Sequence, residues 1–288
     1  MTPTSTPRRE GALFRRDGDL LVPGVLTRGP WYHDTLHGSA MLAAVARAAE
    51  QHPSEVDRQV VRLTVDMMRA APMTALRIES STVRQGKSID TVDIAMYADG
   101  ELCVRGSALR IRTAELVVDE LEAAAAGAAA PVPPSPEQEL VPPLWHTGAE
   151  RPAFHHAIDV HVDRQTAVVW FRLAVPVVEG EPTSGFVAVA TIADWTYATP
   201  HLLRTVGEAA PPAERTVFAI NADTTVNSHR PLHGDWVGLR TTSYVGGLGA
   251  GTSSAQLFDA AGPLGFTTQS VLVRGPSGAP LSVRELSG

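Results

Sequence analysis

The chain has 288 residues, more than a typical small domain needs and comfortable for two. Hydrophobic residues make up 44% and charged residues 19%, an ordinary globular balance with enough apolar sequence for one or two real cores. The net charge of −7 comes without any block of like charges, which argues against nucleic-acid binding, because a phosphate-neutralising surface needs clustered cations.

Cys103 is the only cysteine, so neither an internal disulfide nor a cysteine-based metal cluster is expected, in keeping with a reducing cytoplasm. The first residues, MTPTSTPRREGALF, lack the apolar core of a signal peptide, and no run of 18 apolar residues is present to span a membrane.

In chain order, ALFRRDGDLLVP reads as a short strand or two, and HGSAMLAAVARAAEQ (37–51) as a helix. That helix is apolar on most faces, as one covered by a sheet should be. Four strand-like runs follow from LTVDMMRAAP (63–72) to Arg112. In Val92-Asp93-Ile94-Ala95-Met96 the alternation of apolar and polar residues marks a strand with one covered face. EAAAAGAAAPVPPSPEQELVPP (122–143) then breaks the pattern. Its proline cluster cannot continue a helix, and the stretch reads as a linker.

Beyond the linker the order repeats. HHAIDVHVDRQTAVVWFRLAV supplies strands, and TSGFVAVATIADWTYATPHLLRTVG (183–207) a helical stretch broken near Asp194. Four more strands run from TTVNSHRPLHG (224–234) to Arg274. Thr64/Thr225, Val65/Val226 and Arg69/Arg230 share one spacing, and the turns at Asp99-Gly100 and Asp259 to Gly262 fall at equivalent places. The pattern implies an α+β fold of two units, each one helix wrapped by a curved antiparallel sheet. The boundaries expected are residues 1–121, a linker 122–149, and 150–288.

Taken together, several pieces give a resemblance. They are Trp31 followed by His37-Gly38, Ile220 to Asp223 leading to His229-Arg230-Pro231, Gly234-Asp235-Trp236, Gly247 to Gly251, and Gln269 ahead of the last strand. In this order and spacing the chain resembles the double-hotdog acyl-CoA thioesterases of the thioesterase II type. The resemblance implies two hotdog units in tandem sharing a continuous sheet, and hydrolysis of an acyl-CoA or acyl-carrier thioester without metal or cofactor. It also implies an Asp–Gln–Ser/Thr set that orients water: Asp223, Gln269, and Ser243 or, one residue off, Thr242. Ser243 and Thr242 face opposite ways on a strand, so only one of them can serve. Broad sheet faces and strand edges imply a homo-oligomer.

Asp223 corresponds to Arg62 in the first repeat and Gln269 to Ser107, so the acid and the amide occur in one copy only. This asymmetry points to one live site. The plainer role for Asp223 is to satisfy backbone donors beside Thr224 and Thr225. Candidate substrate-binding residues are Trp31, His37, Gly38, Asp194 and Trp195. Backbone N–H groups at His37-Gly38 or Asp194-Trp195 would face an oxyanion, and glycine at 38 would allow close approach. Asp194 also reads as a helix cap. Ser39 stands where a second glycine is common in the resembling family. The glycines at 246–251 read as a tight turn, and the histidines show no metal-ligand spacing. Two other functions fit the same fold: a non-catalytic acyl-binding protein, and a hydratase or dehydratase. The latter needs an Asp–His pair near a helix start, and the sequence has no convincing Asp-x-Asn-Pro-x-His stretch.

Overall fold

The computed structural model describes residues 11–29, 34–114, 130–135, 138, 140–141, 151–206 and 218–274. The first unit contains β1 (Phe14–Asp17), β2 (Leu20–Pro23), α1 (Gly38–Gln51), β3 (Arg58–Met67), β4 (Leu76–Gln85), β5 (Ile89–Ala98) and β6 (Glu101–Arg112). The second contains β7 (Ile158–Asp163), β8 (Val168–Leu173), α2 (Gly185–Ala193) and α3 (Thr199–Thr205). Its remaining strands are β9 (Phe218–Asn221), β10 (Asp223–Ser228), β11 (Trp236–Val245), β12 (Ala250–Asp259) and β13 (Gly262–Arg274).

All strands join one open antiparallel sheet in the order β1-β2-β4-β5-β6-β3-β10-β13-β12-β11-β8-β7, with β9 also on β13. Read from the middle outwards, the two halves repeat one another: β3 and β10 meet at the centre, then β6 and β13, β5 and β12, β4 and β11. These are the two units expected from the repeat, and they are the hotdog units that the resemblance implied. The outer edge is not left bare, since β1 is bonded to residues 177 and 179 just ahead of α2.

Both long helices lie on one face of the sheet, over its main core, while Val168, Trp170, Phe258 and Trp236 form a small separate cluster. Ser39 to Ala46 and Ala49 of α1 are buried, most of them alanine, so small side chains let α1 pack closely on its neighbours. Ile94, Met96, Leu63 and Val65 from the sheet fill the space beneath. Burying each such large side chain contributes about 1.5–3 kcal/mol. Gly106 is needed here because a Cβ would stand 2.6 Å from Val45 Cγ1 of α1. The helical stretch of the second unit is interrupted as expected, with a run of turns at 194–198 between α2 and α3.

Much of the joint between the units lies outside the described residues. Its described part is laid against the body: Pro131 and Pro134 are buried, and the Val141 N–H bonds the Val160 carbonyl.

A buried ion cluster closes the far end of α1. Arg110 donates twice to Asp90, at 2.9 and 2.8 Å, and also to the carbonyl of His52. Arg58 approaches the same carboxylate at 3.1 Å. Desolvation would raise the Asp90 pKa, but the two guanidinium groups outweigh it and hold the carboxyl below its usual range. The second unit uses a different lock. Arg230, from His229-Arg230-Pro231, forks onto Asp259 at 2.5 and 2.7 Å and bonds the Gly262 and Pro263 carbonyls, pinning the β12–β13 turn.

Candidate active site

The antiparallel helices bring the start of α1 beside the end of α2. There the carboxylate of Asp194 is 5% exposed and held by two donors, with His37 close beside it. The Ser39 hydroxyl donates to Oδ2 at 3.0 Å, the Asn221 amide donates to Oδ1 at 2.7 Å, and His37 Nδ1 stands 3.1 Å from Oδ2. An acid at a helix C-terminus is badly placed with respect to its own helix dipole. Here it lies instead against the N-terminus of α1, where negative charge is favoured. Gly38 permits this: a Cβ on it would lie 2.4 Å from Asp194 Oδ1. Glycine at 38 was expected to admit a ligand, and what it admits is the carboxylate.

His37 is the N-cap of α1 and its Nδ1 accepts the Ser39 N–H at 3.0 Å. A nitrogen accepting there carries no proton, which leaves the proton on Nε2. The ring stacks on Phe154, 4.6 Å away, and on Trp195, 5.4 Å away, and those two rings are themselves 6.5 Å apart. His155, next to Phe154, is pushed down to about 4 by burial, with His156 and His37 adding to the effect. Among the described residues the Gly38 N–H meets no acceptor.

A cavity of about 410 Å³ opens over this group. His37, Gly38, Asp194 and Asn221 line it, with Met41, Met67, Trp195, Tyr197 and Ile220 among its apolar walls and Arg69 as its one lining guanidinium among the described residues. It draws on both repeats. A carboxylate, a helix N–H with no acceptor among the described residues, and apolar walls are the parts thioester hydrolysis needs: a base for water, a donor for the oxyanion and a place for the acyl group.

Of the expected site residues, His37, Gly38, Asp194 and Trp195 therefore lie together. Asp194 and Trp195 do so at a helix end and not at a start, and the Trp195 N–H is taken by the Ile192 carbonyl, so no oxyanion donor stands there. Trp31 lies outside the described residues.

Gln269, Ser243, Thr242 and Asp223 are not among the lining residues, although Gln269 is bonded to the turn that carries Asp194. Gln269 is buried on the helix side of β13. Its Nε2 donates to the Asp194 carbonyl and to the Thr224 hydroxyl, both at 3.0 Å, and its Oε1 accepts the Tyr197 N–H at 2.8 Å. It thereby clamps the turn that carries Asp194. Ser243 is bonded to the Ser253 hydroxyl at 2.7 Å, and Ser253 pairs with Gln269, so Ser243 stands in Gln269's row; Thr242 is on the other face.

Asp223 faces away from the helices. Between Asn221, opposite Val271, and Thr225, opposite Thr268, the β9–β10 side has one residue more than β13. That extra residue is Ala222, a β-bulge, and it reverses the side-chain alternation. Asn221 points inward with Val271, while Asp223 points outward with Ser270, whose N–H its carboxylate accepts at 2.6 Å. Thr224 takes the place beside Gln269. The first repeat carries the same bulge at Val61, between Val60 and Arg62. Its register makes Ala108, not Ser107, the counterpart of Gln269, because Thr64 pairs with Ser107 as Thr225 pairs with Thr268.

Sequence reading missed the parts played by Ser39, Asn221, Tyr197 and Arg69. Ser39 was visible only as an odd residue after His-Gly, and Asn221 only as a neighbour of Asp223. Cys103 offers no nucleophile, since it is buried and burial pushes its pKa up.

The sequence matches the family models for the acyl-CoA thioesterase N-terminal domain over residues 27–111 and the acyl-CoA thioesterase C-terminal domain over residues 123–273. No curated protein matches it significantly. Among solved structures, it is similar to a hot dog fold protein of unknown function from Alicyclobacillus acidocaldarius (TM-score 0.66, 18% identity, 91% of this chain and 95% of that one). A putative thioesterase from Novosphingobium aromaticivorans gives a TM-score of 0.65 at 19% identity, over 92% and 99% of the two chains. The acyl-CoA thioesterase II TesB2 from Mycobacterium marinum gives 0.62 at 16%, over 92% and 95%. These likenesses are of fold. With both halves of the chain matched in order by the family's two domains, the protein belongs to the double-hotdog acyl-CoA thioesterases and is a thioester hydrolase.

Proposed function

We propose that the protein hydrolyses an acyl-CoA or acyl-carrier thioester in the cavity at the start of α1, with Asp194 as the base that activates water. The observation that carries this reading is the Asp194 carboxylate, fixed by Ser39 and Asn221 on the wall of an apolar cavity beside the Gly38 N–H. A carboxylate offers about four lone-pair directions, so two remain for water after Ser39 and Asn221 have taken theirs. Water then gives its proton to Asp194 as its oxygen attacks the carbonyl carbon. The Gly38 N–H, at the positive end of α1, receives the oxyanion, and the thiolate leaves.

Asp223 is the alternative base. The acceptance of the Ser270 N–H and its outward direction weigh against it. Thiol release from acyl-CoA by the Asp194→Asn and Asp223→Asn proteins decides the matter. Asp194→Asn should lose roughly 100-fold or more in turnover, the scale of a general base, while Asp223→Asn keeps most of it. The opposite result returns the role to Asp223.

The close approach of His37 to Asp194 favours a second reading, an acid–base pair adding water to an unsaturated acyl thioester. It ranks second because Nδ1 is aligned on the Ser39 N–H and not on the carboxylate. Product mass separates the two: hydration adds water and retains the thioester, whereas hydrolysis frees the thiol.

A further inference from the structure

We propose that Arg69 is a phosphate-binding residue at the mouth of this cavity, holding the carrier part of the thioester while the acyl end lies against Asp194. The inference rests on thioester binding in that cavity.

The two repeats make the case. Arg69 and Arg230 are equivalent, but only Arg230 has a buried partner. Its guanidinium forks onto Asp259, which is 0% exposed and ends β12. At the matching end of β5 the first repeat has Ala98, which offers no carboxylate. Arg69 instead meets Glu101 through one nitrogen at 2.6 Å, with the two side chains 52% and 66% exposed. An exposed pair of this kind contributes little, about 0–1 kcal/mol, so an incoming anion can replace Glu101 at small cost.

Place adds to charge. Arg69 lines the cavity, where it is the one guanidinium and Asp194 the one carboxylate among the described lining residues. Asp194 is 5% exposed and Arg69 half exposed, so the cation marks the open end and the carboxylate the closed one. A thioester of a phosphopantetheine carrier has the same polarity: an uncharged acyl thioester at one end, then a phosphate. A guanidinium matches phosphate oxygens in a planar, two-pronged way. The phosphate has two sources, the pyrophosphate and 3′-phosphate side of CoA, or the single 4′-phosphate that CoA shares with a carrier protein's arm.

The experiment measures thiol release by wild-type and Arg69→Ala protein on one acyl group carried by CoA, by 4′-phosphopantetheine and by pantetheine, which has no phosphate. Arg69→Ala should raise KM for acyl-CoA roughly tenfold, the scale of one charged hydrogen bond, with kcat within about twofold. The Ki of free CoA should rise in parallel, and KM for acyl-pantetheine should not move. Glu101→Gln should lower KM for acyl-CoA. If acyl-phosphopantetheine is affected as acyl-CoA is, the shared 4′-phosphate is the ligand; if only acyl-CoA is affected, it is a phosphate of the nucleotide end. An unchanged KM for acyl-CoA, or an equal rise for acyl-pantetheine, overturns the proposal. Neither result touches the reading of Asp194, which stands or falls on kcat of Asp194→Asn.

Discussion

Thr64 and Thr225 occupy equivalent places in the two repeats, 161 residues apart, and face each other across β3 and β10 with their hydroxyl oxygens 3.0 Å apart. Equivalent residues can sit opposite each other only on an approximate two-fold axis. The axis maps the facing pair Asp66 and Asp223 onto Asn227 and Arg62. It also maps the bulge at Ala222 onto the one at Val61. The frame is symmetric and the chemistry on it is not.

That asymmetry predicts one ligand per chain. Nine residues after Gly38 stands Arg47, and nine after Gly185 stands Asp194, so Arg47 occupies at the start of α2 the place Asp194 has at α1. Arg47 is spent on Glu181 through two bonds of 2.8 Å, and Leu232 Cβ lies 2.9 Å from where a Cβ of Gly185 would be. Calorimetry with a non-hydrolysable acyl-CoA thioether should give one site per chain, and two would contradict this account.

Gly38→Ala should cut turnover by roughly 100-fold, since the new methyl must displace the Asp194 carboxylate and a shift of about 1 Å at a reacting group costs that much. In the helix itself alanine is favoured over glycine by about 1 kcal/mol, which works against a simple loss of folding. Rate per folded molecule, measured beside thermal melting, checks it. An alanine variant at full speed would remove Gly38 from the site.

Gln269 should act through Asp194. Its amide is committed to the Asp194 carbonyl, the Thr224 hydroxyl and the Tyr197 N–H, so it has no hydrogen left for water. Gln269→Ala should slow the wild type at least about tenfold and the Asp194→Asn protein hardly at all, a non-additivity that marks one unit. Equal factors in both backgrounds would point to separate roles.

Stability should decline on the acid side in two stages. His155 has a folded pKa of about 4 against an ordinary 6.5, so the unfolded chain binds its proton first. Its contribution is complete above about pH 6.5 and is lost as pH falls towards 4. Asp90 and Asp259 are held below the ordinary carboxylate range by Arg110 with Arg58 and by Arg230, against the opposing effect of burial. Their contributions are complete above about pH 4 and disappear as pH falls through the lowered folded values. Melting temperature against pH should show both stages, with His155→Phe flattening the first and Asp90→Asn reducing the second. A wild-type curve level from pH 7 to 4 would exclude the His155 part.

Much of this protein is written locally. Alternation along β5, the alanine-rich apolar helix at 38–51, the break near Asp194 and the matching turns at Asp99-Gly100 and Asp259 to Gly262 all follow from nearest-neighbour patterning. Each depends on residues a few places apart, and repetition of the pattern was enough to give two like α+β units, which the family resemblance identified as hotdogs. The placing of chemistry was not legible in that way. One extra residue at Ala222 turns Asp223 outward while leaving Asn221 inward, and nothing in Asn-Ala-Asp announces a bulge. It is recognisable only from the register against β13. Asp194 could be read as a cap but not as a carboxylate bound by Ser39, 155 residues away, because that contact depends on two helices lying antiparallel on one sheet. The sequence by itself determined the two-fold frame, through short-range periodicity. Only the tertiary structure decided which acid faces the cavity, because that is set by strand register and helix packing between distant segments.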